Sequence, residues 1–126
     1  MTVILVQEDG AQVLPGDGAP LDVPSGQAVT LQEVIWNVPG AQGLTLRFRF
    51  VAPDLAALDI EAALADMQAL CETYAAPRVT DFGPQPNQII ISLADAARPF
   101  GEADPDAVQY FEAYRLENGA CIWEIY

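Results

Sequence analysis

The chain has 126 residues, 52% of them hydrophobic, which predicts one globular domain over residues 1–126. Eighteen carboxylates stand against five arginines, with no lysine and no histidine, so the formal net charge is −13. A surface this acidic repels nucleic acid and anionic lipid; it favours a basic protein as partner, or simply serves solubility.

The absence of histidine excludes several kinds of site. Nucleophilic systems built on serine–histidine or cysteine–histidine pairs are ruled out, and two cysteines alone fall short of the usual zinc ligand sets. We expect no cofactor; any metal bound here would be a hard, oxygen-liganded ion such as calcium or magnesium. Residues 3–6 are too short for a signal-peptide core. We therefore expect a cytoplasmic protein if Met1 is the natural start, and an exported, periplasmic one if a signal precedes it.

The first half of the chain predicts a loop and two strands. Glycine and proline recur through residues 1–28, which makes this N-terminal segment loop-rich, with room for short strands at 2–6 and 12–14. Residues 29–38 are rich in β-branched and aromatic side chains, as strands are. Residues 44–51 alternate, with leucine and phenylalanine facing one way and Arg47 and Arg49 the other, so we expect one buried face and one wet face.

Residues 59–74 predict one amphipathic helix. Its apolar stripe follows spacings of four, three, four and three, and Asp66 falls outside it. Asp54 or Asp59 can cap the start, and Pro77 is expected to end the helix. The stripe consists of Ile60, Leu64, Met67, Cys71 and Tyr74.

The last third predicts three more strands. Residues 88–93 contain three consecutive isoleucines, typical of a central strand. Residues 108–117 and 120–126 form a hairpin around Asn118 and Gly119, with Tyr114 opposite Trp123 and Leu116 opposite Cys121. The expected fold class is α+β, a single antiparallel sheet of about five strands packed against one main helix in the order β-β-α-β-β-β.

Two independent patterns bring the cysteines together. The helical period places Cys71 on the face that meets the sheet, and the hairpin register places Cys121 on the face that meets the helix. A disulfide would suit an oxidising compartment. The alternative is two free cysteines acting as small buried hydrophobic residues.

Three groups of residues are candidates for binding. Arg47 and Arg49 could clamp an anion, or could pair with Glu33 on the neighbouring strand. An acidic loop, residues 95–106, could bind calcium or could simply be solvated; its candidate ligands are Asp95, Glu102, Asp104 and Asp106. An apolar set on the hairpin face away from the helix could be covered by the N-terminal segment or could form an interaction surface; its members are Phe111, Ile122 and Tyr126.

Several stretches resemble a small, functionally uncharacterised bacterial family. They are PSGQAVTLQEVIWNVP at 24–39, LTLRFRFVAP at 44–53, DMQALCETY at 66–74, GPQPNQIIISL at 83–93, and 99–126 with its GACIWE ending. The resemblance implies short proteins often made with an export signal, some of them labelled acetolactate synthase. The magnesium-binding motif of thiamine-diphosphate enzymes begins with a Gly-Asp-Gly tripeptide, and this chain has that tripeptide at Gly16, Asp17 and Gly18. The asparagine pair expected downstream is missing and the chain is too short for that cofactor, so the label has no support.

These observations favour a non-enzymatic, exported binding or structural domain stabilised by a disulfide. The alternative is an enzyme or ligand-binding protein that uses carboxylates and arginines, with or without a divalent ion. No catalytic residue is assigned.

Overall fold

A computed structural model describes residues 5–6, 12–40, 43–82, 86–102 and 104–124. These residues form one seven-stranded sheet whose strands lie side by side in chain order. The strands are β1 (Leu5–Val6), β2 (Gln12–Pro15), β3 (Thr30–Gly40), β4 (Gly43–Val51), β5 (Gln88–Ala94), β6 (Gln109–Glu117) and β7 (Ala120–Glu124). The expected α+β class with one main helix is confirmed. The count of about five strands is wrong, because the loop-rich N-terminal segment contributes β1 and β2.

The sheet is mixed rather than wholly antiparallel. Every neighbouring pair is antiparallel except β4 and β5, which run parallel with Phe48 opposite Ile91. The helical segment joins these two strands and returns the chain to the end of the sheet at which β4 begins. β5 therefore runs in the same direction as β4. The order β-β-α-β-β-β is thus replaced by four strands, a helical segment and three strands.

The helical segment is longer and less regular than predicted. Helix α1 (Ile60–Leu70) begins at Asp59, whose carboxylate accepts from the Ala62 N–H at 2.8 Å. It continues through a π-helical turn, Cys71–Ala75, into a 3₁₀ segment, Ala76–Phe82. Pro77 does not end the segment, because it lies at the second position of the 3₁₀ turn, where a missing N–H costs no hydrogen bond.

The core lies between this helical segment and one face of the sheet. Leu46, Phe48 and Phe50 of β4 are at most 2% exposed, and Tyr74 lies edge-on to both phenylalanines at 6.1 and 5.8 Å. The alternation predicted for this strand is confirmed. The apolar stripe of the helix is only partly right, because Ile60 is 48% exposed whereas Asp66 is fully buried.

Asp66 is buried because it holds the N-terminal segment. Its Oδ1 accepts from the Ser25 N–H at 2.9 Å, and its Oδ2 accepts from the Ser25 hydroxyl and from Gln27 Nε2 at 2.8 Å. A carboxylate with this many donors can be buried without a counter-ion. The contact explains how a loop lacking regular structure stays on the core.

The Gly-Asp-Gly tripeptide is a turn in this fold. A Cβ on Gly16 would lie 1.8 Å from the Leu31 carbonyl oxygen, so β3 leaves room only for glycine. Asp17 accepts from the Ala19 N–H at 2.9 Å, and Gly18 has a φ of 79°. The glycines therefore serve backbone geometry.

The hairpin has the predicted register. Asn118 and Gly119 both have positive φ, and Leu116 lies opposite Cys121. Trp123 faces the helix side as expected but is 46% exposed, and its Nε1 donates to Glu112 at 2.6 Å.

Cys71 and Cys121 form a disulfide across a Cα–Cα distance of 6.2 Å, which confirms the predicted pairing. Two helix side chains also reach the outer edge of β7. Gln68 Nε2 donates to the Cys121 carbonyl at 2.7 Å, and Glu72 accepts from the Cys121 N–H at 3.3 Å. The helix therefore satisfies edge groups that would otherwise be open to pairing with another chain.

Candidate functional site

The site lies on the face of the sheet that points away from the helix. Arg47 and Arg49 alternate there with the core residues of β4, as strand geometry requires. The prediction that this face is wet is wrong for Arg49, which is 4% exposed. Arg98 and Phe100, from the loop that follows β5, lie over Arg49 and cover it.

Arg49 is neutralised within the sheet. Its Nη1 forms an ion pair with Glu33, the residue opposite it on β3, and its Nη2 donates to the Arg98 carbonyl at 2.9 Å. The sequence left two roles open for Arg49, anion binding and pairing with Glu33. The structure shows the pair with Glu33. Arg49 thereby fastens the acidic loop to the sheet.

Arg98 organises the acidic loop. Its Nη1 donates to Asp95 at 2.8 Å and its Nε donates to Asp104 at 2.9 Å, while its carbonyl also accepts from Gln32 Nε2 at 2.9 Å. The hydrogen bond to Asp95, followed by that to Asp104, raises the pKa of Arg98. The same guanidinium, together with the Asp106 N–H, lowers the pKa of Asp104.

The four predicted calcium ligands therefore have different partners. Asp95 and Asp104 both bind Arg98, and the Asp106 N–H donates to Asp104 at 3.0 Å. Glu102 instead lines a cavity beside Arg47 and Arg49. Among the residues that the structure describes, no group of three or more acidic or cysteine side chains could hold a metal ion. Calcium binding by this loop stays a prediction.

Arg47 differs from the other two arginines because no carboxylate of the described residues pairs with it. Its Nε is buried and has no hydrogen-bond partner within the described part of the chain. The Phe100 ring lies over its guanidinium at 4.9 Å and over that of Arg49 at 5.5 Å. Burial lowers the pKa of Arg47, and the nearby Arg49 cation lowers it further.

These side chains surround an open cavity of about 540 Å³, which we call the arginine cleft. Three of the five arginines of the protein line it, although the whole chain carries a formal charge of −13. Its lining consists of Arg47, Arg49, Arg98, Pro99, Phe100, Gly101, Glu102, Asp104, Pro105, Gln109 and Phe111. Such an arrangement can hold an anion against Arg47 while keeping the other cations neutralised.

The three residues of the predicted apolar set do not form one surface among the described residues. Phe111 is 54% exposed and lines the arginine cleft, whereas Ile122 is partly buried on β7 and Tyr126 lies outside the described residues.

Sequence reasoning missed Arg98 and Phe100. A signal was present for the arginine, since Arg98 is the only cation between Arg78 and Arg115 and stands among the acids of its loop. No comparable signal marks Phe100.

A family model described as "Family of unknown function (DUF6497)" matches residues 4–126. The chain belongs to this family. The DUF6497 match spans the helical segment, both cysteines and the whole arginine cleft, and it confirms the resemblance to a family of unknown function. No curated protein and no solved structure matches the chain. Within the described ranges, none of the helices combines the length and apolar character needed to cross a membrane.

Proposed function

We propose that this protein is an exported, disulfide-stabilised domain that binds a small carboxylate in the arginine cleft. The observation that carries the proposal is Arg47, which lines a cavity large enough for a small molecule and whose buried Nε has no hydrogen-bond partner among the described residues. An unsatisfied buried donor costs about 1 to 3 kcal/mol, and an anion that accepts from it would recover that cost.

The charge balance favours a single carboxylate over a polyphosphate. Glu33 neutralises Arg49, and Asp95 and Asp104 neutralise Arg98, so Arg47 is the one cleft cation without a carboxylate partner among the described residues. A ligand with several negative charges would meet one unpaired cation and the repulsion of a protein with charge −13. A carboxylate matches a guanidinium through two parallel hydrogen bonds.

Binding is favoured over catalysis by the state of Asp104, one of the two carboxylates that line the cleft. Asp104 is tied to Arg98, which lowers its pKa and keeps it ionised near neutral pH. A general acid or base works best when its pKa lies near the operating pH.

The disulfide supports export. Disulfides persist in oxidising compartments such as the periplasm and are rare in the cytosol. Fractionation of cells that express the full-length natural protein, with intact mass measured under non-reducing conditions, tests this part. Export predicts a periplasmic protein with Cys71 and Cys121 linked; a cytosolic protein with two free thiols would refute it.

The binding proposal is tested by NMR titration of the whole chain with sodium acetate, and with inorganic phosphate as the competing anion. We expect acetate to shift the Arg47 Nε–H resonance and to bind more tightly than phosphate. Substitution R47Q should weaken acetate binding at least about tenfold, because it removes a charge-assisted pair.

R115Q is the matched control. Arg115 is half exposed, pairs with Glu117 at 3.2 Å and lies outside the lining of the cleft, so its replacement should leave acetate binding as it is. Equal weakening by R47Q and R115Q would mean that acetate responds to net charge alone, and would refute the site.

A further inference from the structure

We infer that the ligand of the arginine cleft is a small aromatic carboxylate, whose ring packs against Phe100 and Phe111 while its carboxylate binds Arg47. The inference rests on the proposed function and adds the chemistry of the other end of the ligand. The observation behind it is the apolar half of the cleft, which a small anion such as acetate would not contact.

Two exposed phenylalanines meet in this one cavity. Phe100 is 49% exposed and Phe111 is 54% exposed, and both line the cleft beside Pro99 and Pro105. Among the described residues, the other large hydrophobic side chains that are exposed are Ile60 and Trp123. Half of this exposed apolar set thus lies in the same cavity as Arg47, and such a concentration marks a binding surface.

The sheet register sets the distance between the two ends of the ligand. Arg49, Ser92 and Phe111 lie opposite one another on β4, β5 and β6. Neighbouring strands are about 4.8 Å apart, so the backbones of β4 and β6 are separated by about 10 Å. Arg47 lies two residues before Arg49 on the same face of β4. A span of this length, from the cation on β4 to the ring on β6, suits one ring joined to a carboxylate.

The walls of the cleft favour a flat ring over an aliphatic group of equal size. Phe100 already stacks over both guanidiniums, which leaves part of its own ring accessible. Aromatic pairs gain affinity beyond area burial, by about two- to tenfold for one pair. An aliphatic ring would bury similar area without that gain.

Four probes separate these contributions when titrated into the whole chain by NMR: phenylacetate, cyclohexylacetate, acetate and phenylacetamide. We expect phenylacetate to bind about two- to tenfold more tightly than cyclohexylacetate, which has the same carboxylate and a saturated ring. Acetate should bind more weakly than either, because it buries no ring. Phenylacetamide should show no saturable binding, because it lacks the charge that Arg47 pairs with.

The substitution F111A should reduce the preference for phenylacetate over acetate. W123A is its matched control, because Trp123 is similarly exposed but faces the helix side of the sheet and is outside the cleft; it should leave the preference unchanged. Should F111A disturb folding, F111L retains an apolar side chain and should still lower the ratio of phenylacetate to cyclohexylacetate affinity.

The two proposals fail in different ways. If acetate does not bind, or binds without regard to Arg47, the carboxylate site itself is refuted. If acetate binds through Arg47 while phenylacetate binds no more tightly than cyclohexylacetate, the anion site stands and the aromatic ligand is refuted. Binding of phenylacetamide as tight as that of phenylacetate would also overturn the inference, since the ring alone would then suffice.

Discussion

Substitution D66A should release the N-terminal segment from the core. Asp66 is fully buried and its carboxylate accepts from the Ser25 N–H, the Ser25 hydroxyl and Gln27 Nε2. A hydrogen bond to a charged group contributes about 1.5 to 3 kcal/mol. The donors lie near the surface and can be rehydrated in the variant, so the lower figure applies and the three bonds together contribute about 4 to 5 kcal/mol. We expect D66A to lower the free energy of unfolding by this amount.

Urea unfolding followed by circular dichroism measures that loss, and hydrogen exchange locates it. The Ser25 amide should exchange much faster in D66A, because its acceptor is gone. D66N should be intermediate, since an amide retains one acceptor oxygen but turns a donor toward Ser25 or Gln27. E61A is the control, because Glu61 is exposed on the first turn of α1 and its removal should cost less than about 1 kcal/mol. A D66A variant within about 0.5 kcal/mol of the natural chain, with the Ser25 amide still protected, would refute the reasoning.

Two further predictions concern the disulfide and the acidic loop. The double substitution C71A/C121A opens a closed loop of 50 residues and should lower the free energy of unfolding by about 4 kcal/mol; in guanidinium unfolding, a loss below about 1 kcal/mol would contradict the loop-closure estimate. Because Arg98 lowers the pKa of Asp104 from its ordinary 3.8, the contact stabilises the folded loop above that pH and is lost as pH falls through the lower, folded-state pKa. Carbon-detected NMR should show Asp104 titrating below 3.8, and R98Q should return it toward that value; an unchanged midpoint would exclude Arg98 as the cause.

Features that depend on neighbouring residues along the chain could be predicted. The hairpin register followed from Asn118 and Gly119, which accept positive φ, and the buried face of β4 followed from strict alternation. The disulfide could be predicted because two local periods, that of the helix around Cys71 and that of the hairpin around Cys121, each specified which way the side chain points.

The sequence alone thus determined the helix stripe in outline, the hairpin and the cysteine pairing, because each depends on a local backbone period. Only the tertiary structure decided which polar side chains are buried. Asp66 looks solvent-facing by period, yet Ser25 and Gln27 arrive from some 40 residues away to satisfy it. Arg49 looks wet, yet the loop around Arg98 covers it, and Arg47 is left as the cleft cation that no carboxylate of the described residues pairs with. The burial of a charge depends on partners brought by distant segments, and no local pattern records where those segments will lie.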